Sequence, residues 1–217
     1  MIDPTTQFDQ VNFGSYVIRP EPCPDQCSVL ATGLGRSGTT MLARILSELG
    51  IFMGENMTEA YQEDQEFLAL VKAKDHAGFA TLCRKRDLVH DKWGFKCPAA
   101  RSDLPGFTRQ MRNPRAVIVF RDIMATSLRN TISIQMPTLK ALETAARGNV
   151  SLVQQVIKAD VPTLMLSYEK VLQFPTLCVH AIAEHCGIDI GDGTARRIAG
   201  KCIRNGDSRY LAGSGTA

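Results

Sequence analysis

Two rhythms of apolar and polar residues run along this chain. Ser28-Val29-Leu30-Ala31-Thr32 is a short apolar run ending at Gly33, which predicts a buried strand. From Thr39 to Leu49 the apolar residues fall at Met41, Leu42, Ile45, Leu46 and Leu49. That is the spacing of one helical face, and Gly50 stands where such a helix would stop. Glu66 to Lys74 also predicts helix, and Gly94-Phe95-Lys96 closes a short strand before Pro98. Ala116-Val117-Ile118-Val119-Phe120 is an unbroken apolar run rich in β-branching, as in a strand covered on both faces. Ile123 to Ile134 predicts a helix, and Val161 to Leu166 a strand with Pro162 near its start. Pro175 to Cys186 predicts a helix with proline early and Gly187 after its end. Helices that follow apolar strands imply an α/β fold: three layers, α/β/α, around a central, mostly parallel sheet. Ligands of such sheets bind at the carboxyl ends of the strands. Residues 1–27 hold Pro4, Pro20, Pro22 and Pro24 and read as an irregular lead-in, with residues 28–217 a single domain.

Composition narrows the class. The 217 residues suit one α/β domain, and 44% hydrophobic with 22% charged residues is ordinary for a soluble globule. No apolar run approaches the roughly 20 residues that span a bilayer. The segment Met1 to Asp25 carries Asp3, Asp9, Glu21 and Asp25 and lacks a basic start followed by an apolar stretch. It is not a signal peptide, and a cytoplasmic protein with no membrane partner is expected. A net charge of +3 is too small to argue for nucleic acid, and Arg84-Lys85-Arg86 reads as a solvated face. The seven cysteines are odd in number and scattered, which implies a reduced compartment and thiols in place of a disulfide framework. Cys23 and Cys27 are the one close pair, with no second pair or nearby histidine to complete a zinc set, so no metal is expected. His76, His90, His180 and His185 fit no metal or triad spacing.

The chemistry concentrates in Gly33-Leu34-Gly35-Arg36-Ser37-Gly38-Thr39-Thr40, between the first strand and the first helix. Gly, four residues, Gly in that context is the spacing of a phosphate-binding loop. Glycines let the backbone turn tightly, so that successive N–H groups converge into an anion nest, and the helix adds its positive end. Ser37, Thr39 and Thr40 supply hydroxyls. Where nucleotide triphosphatases carry a lysine, this chain has Thr39; its cation comes earlier, at Arg36.

This loop resembles the donor-binding loop of the sulfotransferase superfamily, and other segments agree in order. Val117-Ile118-Val119-Phe120-Arg121-Asp122 is similar to the family's strand ending in arginine. Trp93-Gly94-Phe95-Lys96-Cys97-Pro98 is similar to its Gly-x-Lys-x-Pro stretch. Tyr61-Gln62-Glu63-Asp64 resembles a region of the carbohydrate sulfotransferases, and Leu166 to Leu172 the Tyr-Glu-Asp-Leu segment. Arg204-Asn205-Gly206 loosely matches a late Arg-Lys-Gly. The resemblance implies transfer of a sulfuryl group from 3′-phosphoadenosine 5′-phosphosulfate (PAPS) to a hydroxyl or amine of a small-molecule or carbohydrate acceptor, without a metal. It assigns Gly35, Arg36, Ser37, Gly38, Thr39 and Thr40 to the phosphosulfate, Arg121 to the 3′-phosphate, and Arg36, Lys96 and Glu63 to the transfer, with Glu63 as base. The serine that the family places eight residues after its arginine is Arg129 here, with Ser127 nearby; either is open for the 3′-phosphate. Tyr168 would line the nucleotide side or simply pack. The histidine base of the aryl and steroid branch is replaced by Pro98.

Two other readings compete. Asp122 after the apolar run resembles the Mg²⁺-holding aspartate of a nucleotide or small-molecule kinase. A non-catalytic nucleotide-binding protein derived from a transferase would keep Gly33–Thr40 without needing Glu63 or Lys96.

Overall fold

The computed structural model describes residues 12–55, 57 and 62–203. Its strands are β1 (Ser15–Ile18), β2 (Cys27–Gly33), β3 (Lys92–Lys96), β4 (Pro114–Phe120) and β5 (Thr163–Ser167). They form one five-stranded sheet in the order β1-β5-β4-β2-β3. β2, β3, β4 and β5 are mutually parallel, and β1 lies antiparallel on the β5 edge. This is the expected α/β architecture with a mostly parallel sheet.

Alternation along the strands divides the core in two. Val29 and Ala31 of β2, Val117 and Val119 of β4, and Leu164 and Leu166 of β5 face one side. There they meet α1 (Thr39–Glu48), α8 (Pro175–His185) and α9 (Asp192–Cys202) through Leu42, Ile45, Val179, Ile182 and Ile198. Leu30, Ala116 and Ile118 face the other side. Their partners are α2 (Gln65–Ala73), α3 (His76–Val89), α4 (Leu104–Thr108) and α6 (Thr138–Ala159), through Phe67, Phe79, Phe107, Leu152 and Val156. Phe67 stacks on Phe95 of β3 at 4.3 Å and on Trp93 at 5.5 Å. Each such side chain, fully buried, contributes about 1.5–3 kcal/mol. The remaining helices, α5 (Ile123–Ile134) and α7 (Tyr168–Gln173), start directly from the ends of β4 and β5.

The lead-in is more ordered than its prolines suggest. Residues 15–18 form β1, and Ser167 N–H donates to Gly14 O at 2.8 Å. Between β1 and β2 the chain is held by Arg115, 3% exposed, whose guanidinium donates to the carbonyls of Glu21 and Pro22. β1 escapes the sequence pattern because an edge strand of four residues buries little. The 22-residue α6 also lies outside the elements read from the sequence; Ala141, Ala145, Leu152, Val156 and Ala159 form its buried face.

Candidate functional site

The parallel register brings four strand ends to one edge of the sheet. Ala31 pairs with Lys96, Gly33 with Val119, and Phe120 with Ser167, so the segments leaving β2, β3, β4 and β5 emerge side by side. Gly33 is required where it is. A Cβ there would lie 2.6 Å from Val119 O and 2.7 Å from Ser37 Oγ. Beyond it, Leu34 O accepts the Ser37 amide at 3.1 Å and the Ser37 hydroxyl at 2.7 Å. Ser37 is 1% exposed, so its hydroxyl, expected to serve a ligand, instead closes the turn from within.

Two left-handed residues shape the rest of the loop. Arg36 has φ 70°, and Gly38, the N-cap of α1, has φ 106°. Among the described residues, the amides of Gly35, Arg36, Gly38 and Thr39 donate to no other protein group. No acidic residue stands in the first turn of α1. Open amides at a helix start, without a competing carboxylate, are suited to an anion. Thr39 is buried, while Gly35 is exposed and a Cβ added to it would meet nothing within 4 Å. Thr40 is half-buried and already engaged with a neighbour.

Arg121 emerges from β4 beside this turn. Its Nη1 donates to Arg36 O at 3.0 Å, holding the left-handed residue from behind, and its Cζ sits 4.5 Å from the centroid of the Tyr168 ring. The same ring packs on Gly38, where a Cβ would come within 2.5 Å of Tyr168 Cδ2. Tyr168 therefore touches both the loop and the arginine that braces it. Asp122 is the N-cap of α5, accepting from Ala125 N–H at 2.9 Å, while its own amide donates to Glu169 Oε1 at 3.0 Å. That Glu169 contact has no signal in the sequence, because it joins two strand ends remote in the chain.

Lys96 ends β3 almost wholly buried, 3% exposed, with Glu63 Oε1 2.6 Å from Nζ. These two candidates meet as an ion pair. The neighbouring Asp64 is structural: it is 1% exposed, caps α2 and pairs with Arg86 Nη2 at 3.1 Å. The acidic cluster is thus not a uniformly solvated face. Ser127 does not present its hydroxyl to a ligand. It is fully buried and donates to Ile123 O at 2.5 Å within its own helix. Arg129 is half-buried and engaged. Tyr61 and the Arg204-Asn205-Gly206 segment lie outside the described residues.

Sheet and loop together define an α/β protein with a mostly parallel sheet and a glycine turn between β2 and α1. No family model and no curated protein sequence matches the chain. Solved structures do. The sulfotransferase domain of the Synechococcus olefin synthase aligns with TM-score 0.56 and 15% identity, over 88% of this chain and 84% of that one. A mouse sulfotransferase complexed with PAP aligns with TM-score 0.54 and 16% identity, over 87% and 70%. Retinol dehydratase, complexed with androsterone and the inactive cofactor PAP, aligns with TM-score 0.53 and 14% identity. This chain spans 64% of that protein's length and 81% of its own. The fold is that of the sulfotransferases. Among the described residues no helix is long and apolar enough to cross a membrane.

Proposed function

We propose that this protein belongs to the sulfotransferase superfamily and moves a sulfuryl group from PAPS to a hydroxyl or amine of a small acceptor. The observation that supports this most is the loop itself. Its open amides at Gly35, Arg36, Gly38 and Thr39, the Arg36 guanidinium and the start of α1 would make a cationic cradle suited to a doubly anionic phosphosulfate. PAPS, when bound, would supply the sulfuryl group, and PAP would leave.

The chain's own residues divide the remaining work. The loop amides, Arg36 and Lys96 offset the charge that develops on the leaving phosphate, where preorganised donors are most effective. Arg121 has one nitrogen on Arg36 O, and its planar fork carries further N–H groups suited to a second phosphate. Arg129 is favoured over Ser127 for that phosphate, because the Ser127 hydroxyl is committed to Ile123 O. Glu63 accepts the acceptor's proton, and Lys96 beside it holds its carboxylate in place.

A kinase reading is less well supported. Asp122 is occupied as a helix cap, and Thr39 replaces the triphosphate-binding lysine. Thermal-shift titrations with PAP, and with ATP plus Mg²⁺, test the nucleotide: stabilisation by PAP alone is expected, and stabilisation by ATP alone would reject the proposal. A labelled-PAPS assay over hydroxyl and amine acceptors then separates a transferase from a binding protein that has lost activity.

A further inference from the structure

The foot of the sheet, opposite the strand ends, holds a second cluster of reactive side chains. Cys23 Sγ lies 3.6 Å from Cys27 Sγ, and Lys92 Nζ is 3.9 Å from each sulfur. Lys92 is fixed there by donating to Pro24 O at 3.1 Å and Cys186 O at 3.0 Å. Cys27 opens β2 and pairs in register with Lys92, which opens β3. All seven cysteines are free thiols in this structure.

We propose that Cys23 and Cys27 are a reversible dithiol–disulfide pair, a redox modification site that reacts with low-molecular-weight disulfides such as oxidised glutathione. The geometry supports it on three counts. The sulfurs need close by only about 1.5 Å to reach bonding distance. One thiol is reachable and the other is not: Cys23 is half-buried, whereas Cys27 is fully buried. The Lys92 ammonium stands where it offsets negative charge passing between the two sulfurs, the electropositive setting typical of reactive cysteines.

The order of steps follows from access. Cys23, deprotonated by solvent, attacks one sulfur of the glutathione disulfide and releases one glutathione thiolate. Cys27 then loses its proton and attacks the Cys23 sulfur of the mixed disulfide, forming the Cys23–Cys27 bond and releasing the second glutathione. Two protein thiols are oxidised and one glutathione disulfide is reduced to two thiols. Burial pushes the Cys27 thiol up to about 11, which makes it unsuited to the first attack and slow in the second. Cys186 also lies near this pair, yet it is fully buried, and burial pushes its own thiol well above the ordinary range. It is excluded as the entry point.

The test uses the whole folded protein incubated with oxidised glutathione, followed by alkylation and mass mapping. The expected result is a loss of two of the seven thiols and an internal disulfide in the single tryptic peptide carrying Cys23 and Cys27, both reversed by dithiothreitol. Cys23→Ser should leave Cys27 unmodified, and Cys186→Ala should leave the bridge intact. Glutathione retained on Cys23 without a bridge, a bridge from Cys27 to Cys186, or no thiol loss in the folded protein would each overturn the assignment.

Discussion

Lys96 carries a positive charge to a place only 3% exposed, and Glu63 at 2.6 Å answers it. Removing Lys96 takes this partner from the Glu63 carboxylate, at a cost of about 3 kcal/mol or more. Lys96→Met is therefore expected to lower both sulfuryl transfer and folding stability. Lys96→Met combined with Glu63→Gln should recover much of the stability and none of the transfer. Denaturant unfolding of the parent, the two single variants and the double variant, alongside the labelled-PAPS assay, reads both; additive stability losses would show that the pair is not coupled. Tyr168 makes a separate claim. Its ring lies against Gly38 and 4.5 Å from Arg121 Cζ, so its role is to position the arginine that braces Arg36. Tyr168→Phe should bind PAP as the parent does. Tyr168→Leu should bind it about fivefold more weakly, since a stacked cation is worth about 1 kcal/mol. Calorimetric titration with PAP distinguishes the two, and equal loss in both variants would point to the hydroxyl.

At the scale of elements, the turn between β2 and α1 is set by glycines with different duties. Gly38 has φ 106°, and a Cβ there would collide with Tyr168 at 2.5 Å. Gly35 has neither constraint. Gly38→Ala should thus cost roughly 1–3 kcal/mol in folding stability. Gly35→Ala should leave Tm unchanged and weaken PAP binding, because its methyl group would project into open space over the nest. A Gly35→Ala protein that binds PAP normally would remove that residue from the cradle. The turn is legible in the sequence, because glycine spacing, apolar strand and helical stripe all point to the same place. Its bracing is not: Arg121 and Tyr168 reach it from segments 85 or more residues away in the chain.

For the whole molecule, acid stability depends on a residue to which sequence spacing assigns no role. His185 at the end of α8 is 5% exposed and its Nε2 meets Ala116 O at 3.1 Å, so the ring donates there and ties the helix to β4. Burial, with Arg115 nearby, lowers its pKa to about 4. The folded protein then binds fewer protons than the unfolded chain between about pH 6.5 and 4. Its contribution is complete above the unfolded value and is lost as pH falls through the folded one, about 3 kcal/mol in all. Unfolding measured from pH 7 to 4 should show this slope, and His185→Gln should flatten it. A slope unchanged in that variant would place the acid sensitivity elsewhere.

The sequence alone determined the parallel α/β sheet and the glycine turn between β2 and α1, because both are local: apolar runs make buried strands, and glycine spacing makes the turn. Only the tertiary structure decided what the flanking polar groups do. It joined Lys96 to Glu63, turned the hydroxyls of Ser37 and Ser127 inward, and added β1 to the sheet edge. These outcomes depend on which backbone carbonyl or charge arrives from a distant segment, and no pattern of neighbours along a chain records that.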